Sequence, residues 1–428
     1  MFVYLTYFCE IAIIKIEYRK GVFCDLKRYM MNIFRRFYCR TFQTAFKVAL
    51  PFLPYRQPKI LKSNGEVIAV LKKHNKKSVM LVTDKSLRGL KLTSDLEKEI
   101  QESNIKLCVY DGVVPNPTSD NVETALEMYK QSECDSLIAF GGGSVMDCAK
   151  AVGARVAYPN KSLAKMKGVM KVLRKIPLLI AVPTTAGTGS ETTLASVITD
   201  SKTRHKYAIN SFPLIPAYAL LDAKLTVGLP PHITSTTGMD ALTHSVEAFI
   251  GRSTTRETRK AALESVKLIF ENLEVVYENG HNLEARENML VASFKAGVAF
   301  TQSYVGYVHA LAHPLGGKYN VPHGLANAVI LPYVLKAYGK AVYKKLWKLG
   351  VYAGLFEKTT TYENGAKIFI EKVEELNRQM KIPTTIEQIR EEDIPELVKT
   401  AEHEANPLYP VPVLWTAKEL AEIYKKIK

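Results

Sequence analysis

Between residues 48 and 229 the chain alternates short apolar runs with longer stretches whose apolar residues recur every three or four positions. Residues 78–84 (Ser-Val-Met-Leu-Val-Thr-Asp), 105–110, 136–140 and 177–182 are too short for stable helices and rich in Val, Ile and Leu. They read as buried strands. Helical patterning fills the intervals, as over 119–132. This βαβα order predicts a parallel sheet with helices on both faces, a Rossmann-like α/β domain. From Thr234 onward strand signals become scarce and helical periodicity dominates, as over 256–278 and 283–299. The second half is therefore predicted to be all-helical. Pro230-Pro231 marks the break, giving an α/β domain over 48–229 and a helical domain over 230–428. There is no internal repeat.

Residues 1–47 stand apart. The apolar start is interrupted by Glu10, Lys15, Glu17, Arg19 and Lys20, so no run reaches the length of a spanning helix. The basic residues follow the apolar run, the reverse of a secretory signal. Over 27–40, Phe34, Phe37 and Tyr38 lie beside Arg35, Arg36 and Arg40, a pattern suited to an anionic membrane surface or an organellar address. The favoured expectation is a weakly ordered extension with no stable membrane insertion.

Composition changes this picture little. The chain has 428 residues, 47% of them hydrophobic, ample for two domains with a large core. A net charge of +16 raises the question of nucleic acid. The body of the chain has no basic run interleaved with aromatics and no nucleic-acid motif, so no such partner is expected. The six cysteines form no Cys-x-x-Cys pair and read as free thiols in a reducing, cytoplasmic setting.

Two loops in the first half suit a dinucleotide. Gly141-Gly142-Gly143-Ser144 follows the third predicted strand and opens a helix carrying Asp147 and Lys150. Glycines let the backbone approach a pyrophosphate, and the helix start offers free N–H groups. The pattern is not Gly-x-Gly-x-x-Gly, and a merely tight turn would look the same. The second loop, Pro183-Thr184-Thr185-Ala-Gly187-Thr188-Gly189-Ser190-Glu191, supplies small residues and hydroxyls, or simply helix caps. Asp84 ends the first predicted strand. A carboxylate there accepts bonds from a ribose hydroxyl and repels a 2′-phosphate, or else caps the next helix.

Two motifs in the second half hold four of the nine histidines. Asp240 and His244 are spaced i, i+4 on a predicted helix, as are His309 and His313, so each pair shares a face. His323 sits between Pro322 and Gly324, at a break between helices. Carboxylate and imidazole heads amid Ala, Leu and Gly suit a metal cage in a helical bundle, and Fe(II), Zn(II), Co(II) or Ni(II) would accept that donor set.

Gly238-Met-Asp240-Ala-Leu-Thr-His244 and His309-Ala-Leu-Ala-His313, followed by His323-Gly324-Leu-Ala-Asn-Ala, resemble the signatures of the iron-containing, group III alcohol dehydrogenases. The resemblance spans roughly residues 48–428. It implies the two-domain layout that glycerol dehydrogenases and dehydroquinate synthases share. It also implies NAD-dependent interconversion of primary alcohols and aldehydes, with Fe(II), or Zn(II), held by Asp240, His244, His309 and His323. His313 matches a histidine near the metal that does not ligate it, and is the expected proton relay. Asn116, Gly141, Gly142, Gly143, Ser144, Thr184, Thr185, Thr193 and Lys206 match dinucleotide contacts. Asp147 is grouped with them, and the acid at Asp84 goes with NAD. Ala195, Phe300 and Val305 match the substrate-pocket lining; their apolar character favours simple alcohols, with a polyol of the glycerol or 1,2-propanediol type as the alternative. A homodimer is the expected assembly.

Overall fold

The computed structural model describes residues 22–203 and 205–428. The first 21 residues, on which part of the extension reading falls, lie outside the described residues.

Among the described residues nine strands occupy the first half: β1 (Lys59–Leu61), β2 (Ser78–Val82), β3 (Lys106–Tyr110), β4 (Ser136–Gly141), β5 (Gly168–Val169), β6 (Leu178–Pro183), β7 (Ala195–Thr199), β8 (Lys206–Asn210) and β9 (Tyr218–Leu220). Six form a wholly parallel sheet in the order β1-β9-β6-β4-β2-β3. Successive side chains on its central strands feed two separate cores. Met80, Val82, Leu137, Ala139, Leu179 and Ala181 enter one; Val79, Leu81, Ile138, Phe140, Ile180 and Val182 enter the other. Both faces are therefore covered, which explains why these strands read as continuous apolar runs rather than alternating ones.

The four predicted strands are β2, β3, β4 and β6. β1 and β9 add three residues each, too short to carry a periodic signal. Asp84 accordingly follows the second strand, not the first. A small sheet, β5-β8-β7, with an antiparallel β7–β8 pair, is also additional to the expected layout.

After Pro230 the described residues contain no strand. The Pro231–Ile250 helix is buried along almost its whole length from Thr234. It packs against the Arg256–Glu278, Leu283–Ser303 and His323–Tyr338 helices. A helix enclosed on all sides must be apolar or small all round. Hydroxyls such as those of Thr237 and Thr243 return to its own backbone, and its charged heads then need partners from elsewhere.

Against the expectation of a weakly ordered extension through residue 47, the chain is helical over Val22–Ala49. Cys39 and Gln43 on that helix are buried against the second half. Among the described residues no helix is long and apolar enough to cross a membrane.

Candidate active site

Asp240 and His244 lie one turn apart on the central Pro231–Ile250 helix. His309 is on the Tyr307–Tyr319 helix, and His323 is the first residue of the His323–Tyr338 helix. One ligand atom from each of the four lies within 4.8 Å of all the others. Asp240 is the hub. Its Oδ1 is 3.4 Å from His323 Nε2 and 3.8 Å from His309 Nε2, and its Oδ2 is 4.0 Å from His244 Nδ1. Gly324 permits this convergence: a Cβ there would come within 2.3 Å of the Thr236 carbonyl oxygen on the central helix.

The electrostatics suit a cation. Burial pushes the His309 imidazole well below its ordinary pKa, and the neighbouring histidines add to the effect. Burial also lowers His244, against the opposing charge of Asp240, and lowers His323 to about 4. The rings are thus neutral at pH 7, with lone pairs to offer. Buried His244 Nδ1 and His309 Nε2 have no hydrogen-bond partner in the protein. Orphaned buried acceptors beside a carboxylate are what a metal ion would satisfy, so the residues fit the group.

Supporting residues fix the cluster. Glu247, one turn beyond His244, accepts from the backbone N–H of Gly306 (2.8 Å) and Val308 (2.7 Å) and lies 2.6 Å from His309 Nδ1. With the Nδ1 proton so engaged, the Nε2 lone pair faces Asp240. Burial raises the Glu247 carboxyl to about 7, although its three donors oppose this. Asn327 donates to Asp240 Oδ1 at 2.7 Å. Phe300 stacks on His244 with ring centroids 4.0 Å apart, so this expected pocket residue lies beside the cluster.

His313 lies one turn from His309 and stacks on His323, with its side chain 41% exposed. It is not in the four-residue cluster. Its Nδ1 is 2.5 Å from Glu404 Oε1, and Tyr409 donates to the same oxygen at 2.6 Å. Burial alone would lower the imidazole, but the charge and hydrogen bond of Glu404 outweigh it and raise the pKa.

The two glycine loops lie side by side at the carboxyl ends of adjacent strands, with Gly141 opposite Pro183. Thr184 N–H donates to the Gly141 carbonyl at 3.3 Å. Asn116 and Lys206, far apart in sequence, meet here: Lys206 Nζ donates to Asn116 Oδ1 at 2.8 Å, and Asn116 N–H to Ser144 Oγ at 3.3 Å. The second loop then runs to the cluster. A Cβ at Gly187 would lie 2.5 Å from Thr237 Cβ. The second glycine loop therefore abuts the helix that carries Asp240 and His244.

Other expected cofactor residues are already engaged. The fully buried Lys150 ammonium donates to the carbonyls of Ser190, Thr193 and Ala195 and to the hydroxyls of Ser190 and Thr193, at 2.7–3.1 Å. Burial lowers it to about 8, against the pull of Asp147 and Glu191. Asp147, pushed up to about 6 by burial, accepts from Ser190 Oγ at 3.2 Å. Thr193 Oγ1 and Asp147 thus help shape the second loop. Asp84 Oδ1 caps the next helix, accepting from Leu87 N–H at 2.9 Å.

Comparison with known proteins agrees with this layout. Residues 60–223 match the model of iron-containing alcohol dehydrogenases, and residues 234–428 match the model of that family's C-terminal part. The chain belongs to the iron-containing alcohol dehydrogenase family. It is 36% identical over 385 residues to 1,3-propanediol dehydrogenase of Citrobacter freundii, covering 89% of this chain and 98% of that protein. A solved 1,3-propanediol oxidoreductase superposes with a TM-score of 0.83 at 33% identity, covering 87% of this chain and 98% of that one. Sulfoacetaldehyde reductase from Bifidobacterium kashiwanohense, solved in complex with NAD+, gives 0.78 at 29% identity over 87% and 98% of the two chains. This chain is thus an oxidoreductase of the iron-containing alcohol dehydrogenase family, and its Asp240, His244, His309 and His323 form a group that could hold a metal ion.

Glu247, Glu404 and Tyr409 were not among the expected site residues. Glu247 was visible as the i+3 neighbour of His244, but an acid on a helix is ordinarily solvated. Glu404 and Tyr409 reach His313 only through the tertiary fold.

In Glu247→Gln an amide NH2 must face one of three donors. Iron retention against a chelator should fall about 10- to 100-fold, the usual effect of losing an outer partner of a metal-bound histidine; retention equal to wild type would show that Glu247 does not orient His309. Glycine tolerates a helix N-cap at a cost of only a few tenths of a kcal/mol. Asp84→Gly should therefore keep the fold while narrowing the NAD over NADP preference in kcat/KM. An unchanged ratio would leave Asp84 as a cap alone.

Proposed function

We propose that Asp240, His244, His309 and His323 hold the iron, and that the enzyme interconverts unbranched primary alcohols and aldehydes in the cleft between the two halves. The observation that carries this reading is the pair of unpartnered buried imidazole nitrogens in the four-residue cluster beside Gly187. When bound, the metal supplies Lewis acidity toward the substrate oxygen, and the nicotinamide supplies the hydride acceptor or donor. The chain supplies the rest. Glu247 and Asn327 keep the donors aimed. Gly141, Gly142, Gly143, Ser144, Thr184 and Thr185 offer close backbone approach and hydroxyls for the pyrophosphate and nicotinamide, and Asn116 and Lys206 flank them. Asp147 and Thr193 act on the cofactor through the loop they shape.

A proton must leave the alcohol as it is oxidised. His313, half-exposed, bridges the cluster and solvent, and Glu404 at its Nδ1 leaves Nε2 for the exchange. We place the division between the α/β and helical domains at residues 229 and 230, supported by Pro230 as N-cap of the central helix. The free thiols Cys39, Cys108, Cys134 and Cys148 support a cytoplasmic setting. A homodimer is our expected assembly, and solvent-facing Phe37 and Phe52 offer apolar surface for it.

His244→Ala tests the reading. It should abolish iron retention and turnover while NADH binding, followed by nicotinamide fluorescence, survives. Full turnover in a metal-free His244→Ala protein would contradict it.

The substrate follows from the pocket. Phe300, over His244, offers only an apolar face, and Ala195 and Val305 have no polar side-chain atom. Each buried methylene gains about 0.8 kcal/mol, whereas a second hydroxyl would be left unpaired. Propanol to hexanol should surpass glycerol and 1,2-propanediol in kcat/KM. The second reading, a polyol substrate, is favoured by the likeness to 1,3-propanediol dehydrogenase. Ranking ethanol, butanol, hexanol, 1,3-propanediol, 1,2-propanediol and glycerol in one assay separates the two, and a clear preference for a polyol would overturn the first.

A further inference from the structure

The matched family regions begin at residue 60, so the Val22–Ala49 helix lies outside both. Its inner face nevertheless grips one segment of the catalytic half. Arg40 donates through Nη1 to the Val411 carbonyl (2.8 Å) and through Nη2 to the Pro412 carbonyl (3.0 Å). Gln43, 3% exposed, donates through Nε2 to the carbonyls of Tyr409 (2.8 Å) and Pro407 (3.3 Å), while its Oε1 accepts from Arg40 at 2.8 Å. Phe46 packs edge-on against Tyr304, with centroids 5.1 Å apart, and Arg35 pairs with Glu402.

The gripped segment needs such partners. Residues 406–412 read Asn-Pro-Leu-Tyr-Pro-Val-Pro and form neither helix nor strand. Three prolines deprive it of backbone donors. The Tyr409 carbonyl accepts from Val411 N–H at 2.8 Å and the Pro410 carbonyl from Arg252 N–H at 2.7 Å, and the other carbonyls depend on partners from outside the segment. Arg40 and Gln43 supply donors to four of the segment's carbonyls. This segment also carries Tyr409, whose hydroxyl donates to Glu404, the partner of His313. The N-terminal helix is thus two contacts removed from Glu404 and three from the His313 ring.

We propose that the Val22–Ala49 helix is a working part of the active site. Arg40 and Gln43 are positioning residues that fix the 406–412 segment, so that Tyr409 and Glu404 hold His313 in the orientation its proton transfer needs. The inference rests on the reading of His313 given above. It assigns a role to a stretch that its composition alone presents as an appendage.

The test uses the full chain with iron, saturating NAD and butanol. Arg40→Ala/Gln43→Met removes all four hydrogen bonds to these carbonyls with little loss of volume at the buried position. It should lower kcat about tenfold, since an ångström of misplacement at a reacting group costs up to about a hundredfold. Iron content and NADH affinity should stay at the wild-type level. Tyr409→Phe, which removes only the hydroxyl, should reproduce the kcat loss, and Tyr38→Ala on the outer face should not. The discriminating measurement repeats the double substitution in a His313→Ala background. Residues acting through one histidine give no further loss there, whereas an unrelated structural effect multiplies. A kcat within twofold of wild type in Arg40→Ala/Gln43→Met, or a full tenfold loss repeated without His313, would overturn the proposal. Should that double variant fail to fold, Gln43→Met alone is read through the same cycle with the same criteria. Wild-type kcat in His313→Ala itself would overturn both the relay and the clamp, a result distinct from failure of the helix variant alone.

Discussion

Two buried imidazole nitrogens without a hydrogen-bond partner, on His244 and His309, are the constraint around which the helical half is arranged. Leaving a buried polar atom unsatisfied costs about 1–3 kcal/mol. The fold incurs this twice, within one turn of side-chain reach, next to a buried carboxylate. A core built only for stability would place Leu or Ala there. Here the central Pro231–Ile250 helix is enclosed on every side while still carrying Asp240, His244 and Glu247. Glu247 secures His309 from behind, Asn327 secures Asp240, and Phe300 covers one face of His244. The apolar bundle holds the rings neutral, and neutrality keeps their lone pairs free for a metal ion.

The α/β half answers to the same centre. Its parallel sheet delivers both glycine loops at the carboxyl ends of β4 and β6, where such folds bind ligands. Gly187 brings the second loop against the central helix at Thr237, two residues before Met239 and one turn from Asp240. Lys150 gives that loop its shape by drawing Ser190, Thr193 and Ala195 around one buried ammonium. The loop is thereby anchored from the cofactor side and abutted from the metal side. On the function proposed above, the dinucleotide and the iron would meet in one cleft there.

Much of this was legible in the chain. Continuous apolar runs marked β2, β4 and β6 because strands buried on both faces leave no polar alternation to blur; β3, a half-buried strand at the sheet edge, was marked by its short β-rich run alone. The i, i+4 spacing of Asp240 and His244 was legible because a helix fixes which heads share a face. Short elements were not: β1 and β9 are held by neighbours on the sheet rather than by any pattern of their own. The pairing of Asn116, Ser144 and Lys206 became visible only once distant segments met. The N-terminal stretch misled for a physical reason. Its outer face exposes Phe34, Phe37 and Tyr38. Its inner face sets Arg35, Arg40 and Gln43 beside Cys39 and Phe46, a mixture too polar to resemble a core.

The most direct measurement is X-ray absorption at the iron edge of the anaerobically loaded protein. Ligation by Asp240, His244, His309 and His323 predicts only nitrogen and oxygen neighbours, with the outer scattering of three imidazole rings. Sulfur in the inner shell, or scattering from fewer than two imidazoles, would contradict it.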